Sequence, residues 1–399
     1  MPLPKTLGCW PTLPIVIQFG VSPALDPPVP EDEENIVATL KQSGRVSSIS
    51  LAITTSLLEK LSTVYEPFLE LEELVLLSQE NVQLTLPSTF QWGPRLRTLH
   101  FARIVLPTLP QLLLSSKNLV DLQLHEVLDP WHISPATLVN ALSGMTQLQS
   151  LSLHFSSTTT SIAPSVPFWE RTVLPALTRL DFRGISAYLE GLVAIIDAPG
   201  LKDIEIAFFN NRIASASKLS GFIDRIEIQN SHCRADILSS ERCISISLTQ
   251  PGVPTRLKVH VLCETLSERV YSMTRICTYF STLILGVEDL RINVTRPPSG
   301  QDGVDGGRWL DLIDSFTGVK WFHLAGSLST TILLALRPSE RRRETMLLAL
   351  HKLCIQEPEL RDAPLREAIV SFIHSYWLSG HFIAVELYGT GTMCAQRQN

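Results

Sequence analysis

The side chains able to carry chemistry are scattered along the 399 residues, and their spacing argues against most reaction classes. His260 and Cys263 form a tempting pair of metal ligands. On a strand, residues an odd number apart face opposite sides, so the two cannot share an ion. His232, Cys233 and Cys243 supply three ligands without a fourth. No G-x-S-x-G, Cys-His signature or phosphate-binding loop is present. Gly303, Gly306 and Gly307 fall in a turn-rich stretch with no Lys-Ser or Lys-Thr behind them. Arg341-Arg342-Arg343 is flanked by Glu340 and Glu344 and reads as a solvated helix face rather than a phosphate patch. The expectation is a chain with no catalytic residue, no cofactor and no metal, and hence not an enzyme.

The informative polar residues lie inside a recurring phrase: apolar, two variable, apolar, one variable, apolar. It reads LEELVLL from Leu71, LRTLHFA from Leu96, LVDLQLH from Leu119, LQSLSLH from Leu148, LTRLDFR from Leu177 and LKDIEIA from Leu201. The copies start 23 to 29 residues apart, which is the period of leucine-rich repeats. Weaker copies are VSSISLA from Val46, IDRIEIQ from Ile223, VEDLRIN from Val287 and VKWFHLA from Val319. The phrase alternates as a strand does, so its apolar positions point into a core and their neighbours point out. With the first apolar residue as position one, position five reads His100, Gln123, Ser152, Asp181, Glu205 and Glu227, then Arg291 and His323. Position three carries Trp321 among charged and small residues. A mosaic of both charge signs with an exposed aromatic suits recognition of a protein surface. A merely solvated sheet face would carry the same residue types.

These strands require an α/β architecture. The pattern predicts an irregular leucine-rich-repeat solenoid, with a curved parallel sheet on the concave face and helices and loops on the convex face. The expected partner is a protein held on that concave face. The irregularity follows from the ninth positions, Gln79, Ile104, Val127 and Ser156, where regular repeats place Asn or Cys. Helices are expected over Pro107–Ser115 and Pro135–Gly144, where apolar residues share one face. A Pro-rich segment, 1–35, ends in the acidic run Glu31–Glu34, which favours the start of a helix over Asn35–Gln42. The solenoid is expected over 36–330. Its pattern breaks at about 231–280, where CISISL and LKVHVLC flank Pro251-Gly252 as a hairpin would. Residues 297–307 read as a surface loop. A C-terminal cap over 331–399 is expected to hold helices at Thr330–Leu336, Arg341–Cys354 and Leu365–Tyr376, then a strand in FIAVEL.

Composition narrows the partner class. Hydrophobic residues make up 45% and charged residues 18%, enough apolar material to fill a core without wholesale disorder. A formal net charge of −6 argues against a nucleic-acid binder. Seven cysteines, odd in number and without a C-x-x-C pair, favour a reducing cytoplasmic or nuclear setting. Pro11 and Pro14 interrupt the apolar stretch Leu7–Val21 that would otherwise resemble a signal peptide. No run is long enough to span a membrane.

The opening LPKTLGCWPTLPIVIQFG, the phrase WHISPATLVNALSGMTQLQSLSLHF from Trp131 and VLPALTRLDFRGISAYLEGLVAIIDAPGLKDIEIAFFN from Val173 resemble the F-box-like leucine-rich-repeat family of mushroom-forming (basidiomycete) fungi. FTGVKWFHLAG and SGHFIAVEL extend the resemblance toward the C-terminus. The resemblance implies a substrate receptor of a Skp–cullin–F-box ubiquitin ligase, in which an N-terminal F-box docks a Skp-type adaptor and the repeats hold the target. Only nine residues precede Trp10, too few for that helical module, so adaptor binding would require an F-box encoded upstream. The alternative is a ligand-sensing repeat fragment of a larger signalling receptor.

Overall fold

The structure is a computed structural model. It describes residues 13–20, 30–64, 66–80, 83–88, 90–127, 133–155, 171–209, 216–226, 233–250, 256–294, 306–336, 347–356, 363–378 and 380–388. The chain divides into two compact units: residues 1–201 with 221–227, and residues 202–220 with 228–399.

In the first unit every copy of the phrase from Val46 to Leu177 becomes a strand. The strands are β1 (Ile15–Phe19), β2 (Val46–Ile53), β3 (Glu73–Ser78), β4 (Thr98–Ala102), β5 (Asp121–Val127), β6 (Ser150–Phe155) and β7 (Arg179–Gly184). They pair in chain order and all in parallel. The register aligns equivalent positions, so Leu74, Leu99, Leu122, Leu151 and Leu180 form one buried row at position four. Leu76, Phe101, Leu124, Leu153 and Phe182 form a second at position six. Leu71, Leu96, Leu119, Leu148 and Leu177, the opening leucines, are each 0% exposed. Each buried leucine contributes about 1.5–3 kcal/mol, and it can do so only against its neighbours in the ladder.

Helices α1 (Pro30–Leu40), α2 (Thr55–Leu61), α3 (Leu109–Ser115), α4 (Pro135–Leu142) and α5 (Ser186–Ile195) make the parallel crossovers with the intervening loops. Local chemistry fixes their starts. The Thr54 hydroxyl accepts from the Leu57 N–H, and the Ser134 hydroxyl accepts from the Thr137 N–H just ahead of Pro135. The acidic run opens α1 as anticipated, with the helix beginning at Pro30 rather than Asn35. Within α1, buried Glu33 accepts from Thr54, Ser56 and Lys60. Burial alone would raise its pKa, but those hydrogen bonds hold the carboxyl below the usual range.

Two readings change at Ile15–Phe19 and at Ser217–Arg225, the latter contributed to by both units. Ile15–Phe19, inside the Pro-rich segment, is a strand, because IVIQF alternates and its inward isoleucines cover the edge of β2. The IDRIEIQ phrase is not a repeat strand: Ser217–Arg225 is helix α6, and Ile223 and Ile226 are buried at helical spacing. Glu227 lies outside the described residues, so its proposed place on the sheet is not described.

The second unit holds β8 (Asp203–Phe208), β9 (Cys233–Ser239), β10 (Cys243–Thr249), β11 (Arg256–Leu262), β12 (Val287–Val294), β13 (Trp321–Gly326), β14 (Lys352–Gln356) and β15 (Ala384–Tyr388). Their order is β8-β11-β10-β9-β12-β13-β14-β15. Only β10 runs antiparallel, so the irregular stretch is a three-strand meander inserted into an otherwise parallel ladder. The hairpin of CISISL and LKVHVLC is its β10–β11 arm, with Pro251-Gly252 outside the described residues. Helices α7 (Leu266–Tyr279) and α8 (Ser281–Ile284) return the chain to β12.

After β12 come α9 (Gly306–Ile313), α10 (Ser329–Ala335) and α11 (Ala363–Leu378). The helix expected over Arg341–Cys354 is corrected in its described part: Lys352–Gln356 is a strand, with Leu353 and Ile355 buried. KLCIQ alternates, and β13 beside it supplies the ladder that a helix would forgo. The last strand expected in FIAVEL is β15, and β14 is the strand added to the expected helices, so strands and helices still alternate in the described part of the C-terminal segment. The Arg341-Arg342-Arg343 run and most of the 297–307 loop lie outside the described residues.

Candidate functional site

The face opposite the leucine rows carries the polar positions, and each unit presents its own set. In the first unit the register puts His100, Gln123, Ser152 and Asp181 side by side on β4 to β7, as the repeat count anticipates. Gln123 Nε2 donates to Asp121 Oδ2 at 2.7 Å. The row then gains members that position counting misses.

At the end of β5 the register with β6 shifts between Leu124 and Val127, and Glu126 takes a φ of 54°. Arg103, at φ 57°, leaves the end of β4 in the same way, and the two side chains form an ion pair. Beside this irregularity His125 meets both neighbours. Its ring stacks on His154 with centroids 4.0 Å apart and meets His100 edge-on at 4.7 Å. His125 Nε2 lies 2.9 Å from the Ser152 hydroxyl and its Nδ1 3.3 Å from His100 Nε2. His154 Nε2 is 3.1 Å from Asp181, which also faces Arg183.

A Ser-His-Asp composition invites a nucleophile reading, and the geometry does not supply one. A relay needs the imidazole to face the hydroxyl with one nitrogen and the carboxylate with the other. Here His154 offers the same Nε2 to Ser152, at 3.3 Å, and to Asp181. The alternative base, His125, has its pKa pushed down to about 4 by burial and then by the neighbouring His154 and His100, too low for a base at neutral pH. Burial also lowers His100, against the pull of Asp121. Burial opposes ionisation of Asp181, but the His154 hydrogen bond and the Arg183 charge hold it below the ordinary carboxylate value.

The histidine stack makes stability pH-dependent. A folded pKa below the unfolded 6.5 means that the unfolded chain binds more protons as pH falls. The contribution of neutral His125 is complete above pH 6.5 and lost as pH drops toward 4. Urea unfolding between these pH values should show the loss, and His125→Gln should flatten that part of the profile; an unchanged profile in the variant would contradict the assignment.

In the second unit the fifth-position row reads Glu205, Lys258, Ser247, Asp236, Arg291, His323 and onward to Glu386. Glu205 accepts from His260 at 3.2 Å and Lys258 at 3.4 Å. His260 Nδ1 lies 3.7 Å from Cys243 Sγ, while Cys263 is buried on the other side, as strand alternation requires. Burial raises the Cys243 thiol pKa, which disfavours the thiolate a nucleophile needs. Asp289 gathers Arg291 at 3.2 Å, His323 at 3.4 Å and Arg234 at 3.7 Å. Trp321, in the row beside Asp289 and Lys352, is 42% exposed. His323 is half-buried, and burial lowers its pKa against the pull of Asp289.

Among the described residues no group of three or more His, Cys, Asp or Glu is arranged to hold a metal ion. Nor is any described helix long and apolar enough to cross a membrane.

No family model matches the chain, and no curated protein matches it. Among solved structures it is similar to the leucine-rich repeat-containing protein LegL7 from Legionella pneumophila, at 11% identity and a TM-score of 0.32, over 94% of this chain and 91% of that one. The class of the fold rests on the ladder itself: 23-to-29-residue units, each giving one parallel strand with its apolar positions in register, give the chain an α/β fold of leucine-rich-repeat type.

Proposed function

We propose that the chain is a non-enzymatic protein-binding scaffold whose outward sheet face, opposite the leucine rows, receives the partner. The supporting observation is the outward face itself, where Glu205, Arg291 and His323 stand in one row and Trp321 in the neighbouring one, all away from the core. Polar side chains of both signs around an exposed tryptophan give specificity by complementarity and affinity through the aromatic anchor. In this reading His100, Gln123, Ser152 and Asp181 serve the same purpose on the first unit, and the protein acts in the cytoplasm or nucleus. Its resemblance to F-box-like repeat proteins supports a role as the target-holding part of a ubiquitin-ligase receptor, in which an F-box engages a Skp-type adaptor.

Affinity capture from basidiomycete lysate, compared between the parent chain and variants that keep its circular dichroism, tests this. Trp321→Ala and Glu205→Lys should each weaken capture of a specific protein at least tenfold, as loss of a hot-spot side chain of about 2 kcal/mol would. Capture unaffected by both substitutions would overturn the assignment of the face.

A further inference from the structure

A cleft of about 270 Å³ lies along rows five and seven of the second unit. Row seven runs across β9, β12, β13, β14 and β15 as Leu238, Asn293, Ala325, Gln356 and Tyr388. Ala325 lies at the centre, with Cys354 buried beside it, so the row is lowest there and higher on either side. Neighbouring strands lie about 4.8 Å apart, which places Asn293 and Gln356 about 10 Å from each other across the alanine. Both are exposed, and among the described residues neither side-chain amide has a hydrogen-bond partner within the protein. Leu238, 50% exposed, and Tyr388 form the two ends.

Charges around the cleft are matched in number and in place. Asp236 pairs with Arg234, Asp289 with Arg291 and Arg234, and Glu386 with Lys352. Three carboxylates face three cations, and His323 is held by Asp289. Among the described residues around the cleft no uncompensated charge is available to select a charged ligand. The unused groups are two carboxamides, each offering donors and an acceptor together, as a peptide unit does.

We propose that this cleft binds an extended, uncharged peptide segment lying across the strands, its main chain held by Asn293 and Gln356 and one side chain seated over Ala325. The row from Leu238 to Tyr388 spans four strand spacings, about 19 Å, which matches roughly six extended residues. The inference rests on the protein-binding reading above and narrows it to one partner chemistry.

The test uses the full chain, immobilised, and two randomised hexapeptide libraries with acetylated and amidated ends, one of uncharged residues and one containing Asp, Glu, Lys and Arg. The uncharged library should be enriched. Dissociation constants of its selected members should rise about tenfold, equivalent to one lost hydrogen-bonding contact of about 1.4 kcal/mol, in Asn293→Ala and in Gln356→Ala. They should rise similarly in Ala325→Leu, which fills the cleft, and stay unchanged between about 50 and 500 mM salt, a range over which exposed charge pairs become screened. Three results would overturn the proposal: no enrichment by a folded chain, selection of charged sequences with salt-sensitive affinity, or binding indifferent to all three substitutions. None of these outcomes alters the result of the Trp321 and Glu205 capture experiment, so the two readings fail separately.

Discussion

Phe101→Ala is expected to destabilise the first unit by about 3–5 kcal/mol, the range for removing a buried aromatic side chain. Phe101 is 1% exposed on β4, flanked in its row by Leu76 of β3 and Leu124 of β5, and it meets the Trp92 ring edge-on at 6.3 Å. Trp92 is fixed in turn by a 2.8 Å hydrogen bond from its indole N–H to the Ser116 hydroxyl. The cavity therefore opens between rigid walls with little room to collapse, which places the cost toward the upper part of the range. Each strand packs chiefly against its neighbours in the ladder, so the loss should also appear locally, as faster amide exchange in β3, β4 and β5 before global unfolding. Urea titration and hydrogen exchange read both effects. A loss below about 1 kcal/mol, typical of a surface site, would mean that Phe101 is not in the buried row.

Gly326→Ala should cost about 3 kcal/mol or more, although it adds a single methyl group. Gly326 closes β13 with a φ of 95°, a conformation that L side chains rarely adopt. A Cβ there would stand 2.0 Å from the carbonyl oxygen of Val294, the residue opposite on β12. That oxygen also accepts from the Ser327 N–H, and the Gly326 carbonyl accepts from the Ser329 hydroxyl at the start of α10. Relief of the clash must therefore separate two strands or undo the turn into α10. Backbone strain of about 1–3 kcal/mol and overpacking of similar size would combine. Thermal melting checks it, with Gly380→Ala as the comparison: Gly380 has φ 81° but nothing within 4 Å of its added methyl, so it isolates the strain alone. Equal losses at the two sites would remove the steric part of the explanation.

The strands were legible because position-four and position-six residues alternate with polar ones, and burying two rows in register leaves no freedom to slip by one residue. That one constraint fixes both the ladder and the outward placement of His100, Gln123, Ser152, Asp181, Glu205, Arg291, Trp321 and His323. IDRIEIQ misled because Ile223 and Ile226 are spaced three apart, which suits a helix as well as a repeat. KLCIQ misled in the other direction, since the apolar residues before it suggest a helix and only its partner β13 selects the strand. The strand at Ile15–Phe19 was hidden among prolines. The meander could be read only as far as its β10–β11 arm, because the position of β9 beside β12 is a long-range pairing without a local signal. The histidine stack was partly legible: LVDLQLH and LQSLSLH both end in His at position seven, which alternation turns outward like position five, whereas the register shift and the positive φ of Glu126 and Arg103 beside it had no local signal.

The most direct test of binding on the outward sheet face is hydroxyl-radical labelling of the second unit with and without a captured partner. Two tryptophans serve as reporters: Trp321 on the outward face of β13, 42% exposed, and Trp377 on helix α11, 58% exposed. Partner binding should protect Trp321 severalfold and leave the labelling of Trp377 unchanged. Protection of Trp377 with Trp321 unaffected would place the partner on the helices and contradict the assignment of the sheet face.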